Sequence, residues 1–402
     1  MIDAKTLHKE IKKHEAAMVR FARDLVAIPS FSTQEGPLVR RIAQEMKRNG
    51  FDQVKVDRMG NIIGRIGSGR VRIMLDAHID TVGIGDRKAW KWDPFKGKYE
   101  NGKVYGRGSA DQKLSMVPMV YGGRILKDLG LRGDYTYLAV GSCQEEDCDG
   151  LPLLHIIQKE GIRPDYVVIT ESTELKVYRG HRGRMEIRVV CKGRSCHASA
   201  PERGVNAVVH MTDVVREVTA LNERLAKDKF LGKGTVAVTK IECKTPSLNA
   251  VPDECTIYLD RRLTVGETKE LALKQVRSLP SVRKHRGVVD LLQYEAVSWK
   301  GLKVGQEKYF PTWVLPESHK LVRASVKAGE LATGRKPKVD KWVFSTNGVA
   351  SAGRLGIPTI GYGPSSEVLA HTVDEYMPVD HMLKSAVFYA ALPQYLCGNE
   401  EI

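Results

Sequence analysis

The chain has 402 residues, 42% of them hydrophobic, and carries a formal net charge of +15. This length exceeds the usual size of one domain, and no apolar run reaches the roughly 18 residues of a membrane-spanning helix, so we expect two domains and no membrane partner. The basic residues are spread along the chain without an aromatic-interleaved motif, which argues against nucleic acid as a partner.

The first 26 residues predict a helix rather than a secretion signal. Their apolar residues recur at helical spacing, and their many charges do not fit a signal peptide. The apolar positions are Leu7, Ile11, Met18, Phe21, Leu25 and Val26. Seven cysteines, too few for a disulfide scaffold in a chain of this length, complete the prediction of a cytoplasmic protein with reduced thiols.

Three later segments share one design, a near-continuous apolar strand whose end turns polar. They are VRIMLDAHID, YTYLAVGSCQEE and YVVITES. Continuous apolar strands are typical of sheets that are buried on both faces. Helical patterns at residues 115–129 and 151–160 lie between these strands. Because strands that alternate with helices build parallel sheets, we expect an α/β domain with a mostly parallel central sheet.

The pattern changes after the third strand. Four strand segments and two helices, near residues 205–226 and 267–278, predict a smaller α+β domain. A further helix, the buried strand GIPTIGYGP and a closing helix then resume the first pattern. We therefore expect a discontinuous catalytic domain of residues 1–180 and 301–402, with an inserted domain of residues 181–300.

Seven histidine and carboxylate side chains fall at the ends of these strands or in adjoining loops. They are His78, Asp80, Asp111, Glu145, Glu146, Glu171 and His371. Residues two apart on a strand face the same side, so Asp80 can hold one ring nitrogen of His78 while the other binds a metal. Taken singly, each residue has an ordinary alternative: a surface histidine beside a capping aspartate, a helix N-cap at Asp111, an acidic turn at Glu145 or a loop histidine at His371.

Taken together, two histidines and three carboxylates form a hard nitrogen and oxygen ligand set suited to Zn²⁺, Co²⁺ or Mn²⁺. A carboxylate has two oxygens and can bridge two cations, and we assign this role to Asp111. The set then divides into His78, Asp111 and Glu171 on one metal, and Asp111, Glu146 and His371 on the other. The sequence therefore predicts a two-metal site with open positions for water and substrate.

These motifs resemble those of the acetylornithine deacetylase, succinyl-diaminopimelate desuccinylase, aminoacylase and carboxypeptidase family of co-catalytic zinc hydrolases. The motifs are LDAHIDTV, YGRGSADQK, QEEDCDG and LAHTVDEY, together with RGHRGRMEIRVVCKGRSCHASAPERGVNAV, which resembles the opening of the family's lid domain. The resemblance covers essentially the whole chain in order. It implies a zinc-exopeptidase-like catalytic domain, an inserted lid domain that forms a homodimer, and two Zn²⁺ ions.

The resemblance also implies roles for single residues. Glu145 is expected to be the general base and Glu146 a metal ligand, while Asp80 orients His78. His197 is expected to cross the dimer interface and donate a hydrogen bond to the scissile carbonyl oxygen.

Substrate recognition is implied for lid residues and one loop. Asn249 and Arg262 match residues that hold the substrate carboxylate, and arginine suits this task because its fork makes two hydrogen bonds to a carboxylate. In the loop VFSTNGVAS, Asn347 occupies the position of a frequent aspartate and is a further candidate substrate-binding residue. The family also commonly has a cis peptide bond after its bridging aspartate, here Asp111–Gln112.

The predicted activity is cleavage of the amide bond of an N-acyl or N-carbamoyl amino acid. Glu171, where the aminopeptidase branch has aspartate, fits the deacetylase and carboxypeptidase branch. GQEKYFPTWVLPESH and STNG resemble a subgroup of hydrolases linked to selenium-dependent metabolism, for which ureido amino acids are an expected substrate class. A peptidase acting on dipeptides or N-terminal residues and a zinc-binding homologue without catalysis are the alternatives.

Overall fold

The computed structural model describes residues 3–398. Its α-helices are α1 (Ala4–Ala27), α2 (Gly36–Arg48), α3 (Met116–Asp128), α4 (Leu151–Leu154), α5 (Ala207–Glu223), α6 (Lys269–Arg277), α7 (Pro280–Lys284), α8 (Lys320–Thr333) and α9 (Val379–Cys397). Its strands are β1 (Gln53–Val56), β2 (Ile62–Ile66), β3 (Val71–His78), β4 (Lys98–Glu100), β5 (Lys103–Tyr105), β6 (Tyr135–Ser142), β7 (Tyr166–Ile169), β8 (Val177–Tyr178), β9 (Gly180–His181), β10 (Gly183–Lys192), β11 (Lys227–Asp228), β12 (Gly232–Lys233), β13 (Thr235–Lys244), β14 (Glu254–Leu263), β15 (Val288–Leu291), β16 (Gln293–Val297), β17 (Lys303–Glu307), β18 (Tyr309–Phe310), β19 (Trp313–Val314), β20 (Val339–Asp340), β21 (Thr359–Gly361) and β22 (Tyr376–Pro378).

An eight-stranded sheet forms the centre of the larger domain, in the order β1-β2-β6-β3-β7-β21-β8-β20. Strands β6, β3, β7 and β21 run parallel to one another, whereas β2 runs antiparallel to both of its neighbours, β1 and β6. Both faces of β3 are buried, because Ile73 and Leu75 join one apolar cluster and Met74 joins another. This arrangement explains the continuous apolar run and confirms the predicted α/β domain.

The predicted N-terminal helix is present as α1. Asp3 caps it, since its carboxylate accepts a hydrogen bond from the backbone N–H of Thr6 at 2.9 Å. All six predicted apolar positions are buried, and α1 packs against α3 and α9. None of the helices within residues 3–398 is long and apolar enough to cross a membrane.

The inserted lid domain is built on the antiparallel sheet β13-β14-β10-β15. Strands β10 and β14 pair over ten residues, from Gly183 opposite Leu263 to Lys192 opposite Glu254. Helices α5 and α6 pack against this sheet and share with it a separate apolar cluster. A second core of this kind supports the predicted small α+β domain within the larger one.

One predicted strand is wrong. The segment VVDLLQYEAVSW divides into β15, which joins the lid sheet, and β16, which pairs with β17 in a separate hairpin. Trp299, at the turn of this hairpin, lies against Gly36 and Gly60 of the larger domain, where any larger side chain would overlap the indole. Its Nε1 donates a hydrogen bond to the carbonyl oxygen of Gly60 at 3.2 Å. The hairpin therefore fastens the lid to the larger domain, across the boundary predicted at residue 300.

Candidate active site

The predicted metal ligands meet at one edge of the central sheet. In an open α/β sheet, the carboxyl ends of the parallel strands and the loops that follow them form a crevice. Five candidate residues follow these strands: His78 ends β3, Glu145 and Glu146 follow β6, Glu171 follows β7, and His371 follows β21. Asp111 reaches the same edge from the loop after β5, a strand of a separate antiparallel sheet.

Asp111 lies between the two histidines. Its Oδ1 is 2.9 Å from Nε2 of His78, and its Oδ2 is 3.2 Å from Nε2 of His371. Glu171 Oε1 lies 3.3 Å from the His78 nitrogen, and Glu146 Oε2 lies 3.0 Å from the His371 nitrogen. Asp111 thus contacts both histidines, with Glu171 beside His78 and Glu146 beside His371. The division into two ligand sets that share Asp111 remains a prediction.

The chemistry of this cluster fits two divalent cations. Ligand atoms of His78, Asp111 and Glu146 lie within 4.8 Å of one another, and so do those of His78, Glu145 and Glu171. Glu146 Oε1 is buried and has no hydrogen-bond partner among the described residues. An unpartnered buried carboxylate oxygen is unfavourable, and a bound cation would compensate it. Imidazole nitrogens and carboxylate oxygens are donors that Zn²⁺, Co²⁺ and Mn²⁺ accept.

Mutual contacts shift the pKa values of these ligands in the metal-free protein. Hydrogen bonds to Asp111 and Glu146 raise the pKa of His371 to about 10. Burial and the charge of Asp111 raise the pKa of Glu146 to about 7. Burial opposes protonation of His78, but the carboxylates of Glu171 and Asp111 outweigh it and raise the pKa of His78. Protons therefore compete with a metal for these atoms.

We expect the affinity of the metal-free protein for Zn²⁺ to increase with pH. His371 is protonated below a pH of about 10 and must lose its proton to bind metal, so proton competition weakens as pH rises. Affinity should rise by up to about tenfold per pH unit for each proton displaced. Calorimetric titrations at pH 6, 7 and 8, in buffers of different ionisation enthalpy, measure both affinity and proton release. An affinity that does not change with pH would contradict this expectation.

Asp80 connects the first histidine to the turn that carries the two glutamates. Its carboxylate oxygens accept hydrogen bonds from the backbone N–H groups of Glu145 and Glu146, each at 3.1 Å, and from the hydroxyl of Ser32 at 2.7 Å. Its Oδ1 also lies 3.5 Å from Nδ1 of His78, which is 3.1 Å from the main-chain oxygen of Asp80. Asp80 is thus placed to orient both the histidine and the glutamate turn.

The residue before Glu145 has an unusual backbone conformation. Gln144 has a φ of 60°, in the left-handed region. For a residue other than glycine this conformation costs about 1–2 kcal/mol, so surrounding contacts must maintain it. The backbone N–H of Gln144 donates to Glu35 at 3.1 Å, and its side-chain amide donates to the hydroxyl of Tyr294 at 2.9 Å. Tyr294 belongs to the β16–β17 hairpin, which therefore also supports the glutamate turn.

Glu375 holds the loop that carries Asp111, and the sequence analysis did not identify it. Its fully buried carboxylate accepts hydrogen bonds from the backbone N–H groups of Gly108, Ala110 and Asp111, at 2.8, 2.9 and 3.2 Å. It also pairs with buried Arg107 at 2.6 Å. A weak signal was present in the sequence: Arg107 lies close to the predicted ligand Asp111, and LAHTVDEY contains two acidic residues that could pair with it, Asp374 and Glu375.

The predicted cis bond between Asp111 and Gln112 is wrong, because no peptide bond in residues 3–398 is cis. A cis bond before a residue other than proline costs about 2.5–4 kcal/mol. The anchored loop brings the Asp111 carboxylate to both histidines through a trans bond, so this cost is not required.

A cleft of about 250 Å³ opens over the ligand cluster. Its walls include predicted Arg262 and three polar residues that the sequence analysis did not single out, Asp149, Arg184 and Ser345. Asp149 accepts hydrogen bonds from Nη2 of Arg184 at 3.1 Å and from the hydroxyl of Ser345. Strand pairing would have indicated Arg184, since it lies directly opposite Arg262 in the β10–β14 register.

Two predicted lid residues lie together on an exposed surface, and neither is among the residues that line the cleft within the described chain. His197 pairs with Ala250 in an isolated bridge, and its Nδ1 lies 2.7 Å from the hydroxyl of Ser199. The main-chain oxygen of Asn249 accepts a hydrogen bond from Ala198 at 2.8 Å. This surface is the one expected to reach a neighbouring subunit.

Asn347 lies beneath the cleft and is only 2% exposed. Its amide nitrogen donates hydrogen bonds to Asp76 at 2.8 Å and Ser142 at 3.0 Å, and its amide oxygen accepts one from the backbone of Gly150 at 2.8 Å. The nitrogen and the oxygen of this side-chain amide are thus both bonded to other groups of the protein. Asn347 therefore braces its loop against β3 and β6 instead of facing the cleft, where a substrate-binding residue was expected.

The sequence profile described as "Peptidase family M20/M25/M40" matches residues 74–395, a range that contains all five predicted metal ligands. The chain belongs to this peptidase family. It is therefore a metal-dependent hydrolase, as the resemblance of its motifs predicted.

Similar proteins align with most of this M20 chain. It is 50% identical over 392 residues to the uncharacterized protein YgeY of Escherichia coli strain K12, which covers 98% of this chain and 97% of YgeY. It is 24% identical over 379 residues to the acetylornithine deacetylase of Buchnera aphidicola subsp. Schizaphis graminum, covering 90% and 93% of the two chains. The structure of aminopeptidase PepT from Bacillus cereus superposes with a TM-score of 0.73 at 20% identity, covering 95% of this chain and 98% of PepT.

Proposed function

We propose that this M20 hydrolase removes the acyl or carbamoyl group from an N-substituted amino acid, using two Zn²⁺ ions held by the ligand sets that share Asp111. The main observation behind this proposal is the position of the carboxyl group of Glu145. It lies buried on the cleft wall, and one of its oxygens is within 4.8 Å of ligand atoms of His78 and Glu171. The small cleft and its two guanidinium groups, Arg184 and Arg262, suit a compact substrate with a carboxylate.

Glu145 performs the proton transfers in the proposed reaction. The bound cations supply Lewis acidity to the attacking water and to the scissile carbonyl. Glu145 accepts a proton from the water, and the remaining hydroxide adds to the amide carbon. Glu145 then delivers the proton to the leaving nitrogen as the C–N bond breaks, which releases the amine and the carboxylate. Asp80 holds the backbone of Glu145 and Glu146, so the orientation of both carboxylates is set before the substrate binds.

A substrate panel tests this function. We expect the zinc-loaded protein to release acetate, or carbon dioxide and ammonia, from N-acetyl or N-carbamoyl amino acids faster than it releases amino acids from dipeptides and tripeptides. The physical reason is that the cleft of about 250 Å³ accommodates a small substituted amino acid more readily than a longer chain. Faster cleavage of peptides would identify a peptidase. Full metal loading with no hydrolysis of any member would identify a homologue without catalysis.

The active unit of the proposed enzyme is a homodimer in which His197 serves the neighbouring subunit. This residue and Asn249 are exposed on the lid, whereas the catalytic cleft lies elsewhere on the same chain. A second subunit that brings these residues to the cleft would supply a hydrogen-bond donor to the scissile carbonyl oxygen, which is most effective as charge develops there.

Mixing two inactive variants tests this arrangement. In a heterodimer of His197→Ala and Glu145→Gln, one cleft combines an intact Glu145 with an intact His197 from the other subunit. Random reassociation of equal amounts should restore about a quarter of the wild-type activity, because half of the dimers are mixed and each has one complete site. No restored activity in confirmed heterodimers, or an active monomer in sedimentation, would contradict the proposal.

A further inference from the structure

Three cysteines form a row across the lid sheet. Cys255 on β14 lies directly opposite Cys191 on β10 and directly opposite Cys243 on the edge strand β13. Directly opposed residues of antiparallel strands project from the same face of a sheet. Cys191 and Cys255 are fully buried in the apolar core of the lid, whereas Cys243 is exposed. The row therefore leads from solvent at the edge of the sheet into the core.

The spacing of such a row suits a disulfide bond. Opposed residues in antiparallel strands have Cα atoms about 4.5–5.5 Å apart, and disulfide-bonded cysteines have Cα atoms about 4.4–6.8 Å apart. The thiols are also close enough to interact, because burial and the neighbouring thiols of Cys243 and Cys191 raise the pKa of Cys255 to about 11. Both neighbours of Cys255 are therefore within reach of it.

Exposure distinguishes the two neighbours. An oxidant in solution reaches the thiol of Cys243, whereas the thiols of Cys191 and Cys255 are enclosed in the core. The high pKa of Cys255 also keeps its thiol protonated at neutral pH, and the protonated form reacts poorly with oxidants. Cys243 is thus the residue that is oxidised first, and Cys255 is the partner that can then bond to it.

The pair of Cys243 and Cys255 lies at the base of the loop that carries Asn249. Strand β13 ends at Lys244 and strand β14 begins at Glu254, so the loop comprises residues 245–253. A disulfide one residue inside each strand would close this loop covalently. Such a bond removes freedom from the segment that it encloses.

The same loop is bonded to the segment that carries His197. The main-chain oxygen of Asn249 accepts a hydrogen bond from the backbone N–H of Ala198 at 2.8 Å, and the N–H of Val251 donates to the main-chain oxygen of Cys196 at 2.9 Å. A covalent bond at the base of the loop therefore restrains both lid residues that are expected to serve the neighbouring subunit.

We propose that Cys243 and Cys255 form a reversible disulfide when the protein meets a hydroperoxide, and that this bond lowers turnover by restraining the loop of residues 245–253. The effect on turnover rests on the proposed function, in which this loop and His197 serve the neighbouring cleft. The pairing of the two thiols is independent of that function.

The oxidation takes place in two steps. The sulfur of Cys243 attacks one oxygen of hydrogen peroxide, the O–O bond breaks, and a sulfenic acid and one water form. The sulfur of Cys255 then attacks the sulfenic sulfur, the S–O bond breaks, and the hydroxyl leaves with the thiol proton as a second water. Two thiols and one peroxide thus give one disulfide and two waters, and a dithiol such as dithiothreitol reduces the bond again by exchange.

Peptide mapping without reductant tests the pairing. After brief exposure to hydrogen peroxide, the peptides that contain Cys243 and Cys255 should be linked, with a loss of two hydrogen atoms, about 2 Da, per chain. Cys255→Ala should form no link and should retain a sulfenic acid at Cys243, which dimedone traps. Cys191→Ser should still form the link.

Two variants serve as controls. Cys397→Ser removes a partly exposed cysteine of the larger domain and should leave the link unchanged. Cys243→Ser changes an exposed residue, so it keeps the test open if Cys255→Ala does not fold, and it should abolish the link. A link between other cysteines, a bond between two subunits, or oxidation of Cys243 without any link would overturn the pairing.

Turnover of the zinc-loaded protein on the fastest substrate of the panel tests the effect of the bond. Oxidised wild type should be slower than reduced wild type, dithiothreitol should restore the loss, and Cys243→Ser should not respond to peroxide. Linked protein with unchanged turnover would overturn the regulatory role. If reduced wild type hydrolyses no substrate, the proposed function fails separately, and hydrogen exchange of residues 245–253 then decides. Slower exchange in the linked protein would support the restraint, and unchanged exchange would overturn it.

Discussion

The Glu145→Gln variant should keep both metal ions and lose most of its turnover. Glu145 lies beside the ligand sets, but the close contacts of the two histidines are with Asp111, Glu171 and Glu146. An amide cannot accept and return a proton, and general acid–base catalysis alone contributes about 10²–10⁴-fold. Turnover measured beside metal content by mass spectrometry tests both parts of the expectation.

Glu146→Gln is the matched control, because it makes the same chemical change at the next residue. Its carboxylate lies 3.0 Å from the His371 nitrogen, so its loss should remove metal first. Excess Zn²⁺ should restore part of the activity of Glu146→Gln and none of that of Glu145→Gln. The opposite pattern would reverse the two roles, and near-normal turnover in Glu145→Gln would remove the proposed mechanism.

The Glu375→Ala variant should lose both stability and metal affinity. It leaves Arg107, which is 2% exposed, without its charge partner, and breaking a buried pair in this way costs about 3–5 kcal/mol. It also removes three backbone hydrogen bonds from the loop that positions Asp111. We expect a lower urea midpoint without metal, and a smaller stabilisation by Zn²⁺ than in the wild type.

Glu100→Ala supplies the comparison for Glu375→Ala. Glu100 pairs with Lys98 at 3.5 Å, and both side chains are well exposed, so its loss should cost no more than about 1 kcal/mol. If Glu375→Ala matches this control in stability and binds Zn²⁺ as tightly as the wild type, Glu375 does not support the metal site.

The larger domain and the metal-ligand cluster could be predicted because each signal is local. An apolar strand that ends in a polar residue is visible within ten letters, and parallel strands bring such ends to one edge. His78 and Glu171 follow from this rule alone. Asp111 and His371 lie in loops, and they were placed in the cluster by their ligand chemistry and by loops that adjoin strand ends, before the motif resemblance agreed with them.

The features that the sequence analysis missed depend on long-range packing. Arg184 gains its significance only from the strand register that places it opposite Arg262. The division of VVDLLQYEAVSW depends on Trp299, whose pocket is formed by two glycines more than two hundred residues earlier. The prediction that Asn347 faces the cleft failed for a related reason. Its loop folds against the strands, and its amide bonds to Asp76 and Ser142 inside the protein.

The separation of Glu375 from the loop that it holds determines when the site can be assembled. Glu375 lies 264 residues after Asp111, and His371 lies 225 residues after Glu146. At about 5–20 residues per second, the ribosome adds Glu375 roughly ten to fifty seconds after Asp111. During that interval the growing chain contains only one of the two histidines and lacks the carboxylate that anchors the Asp111 loop. The cluster that contains both histidines and the anchored Asp111 loop can therefore be completed only after synthesis has passed Glu375.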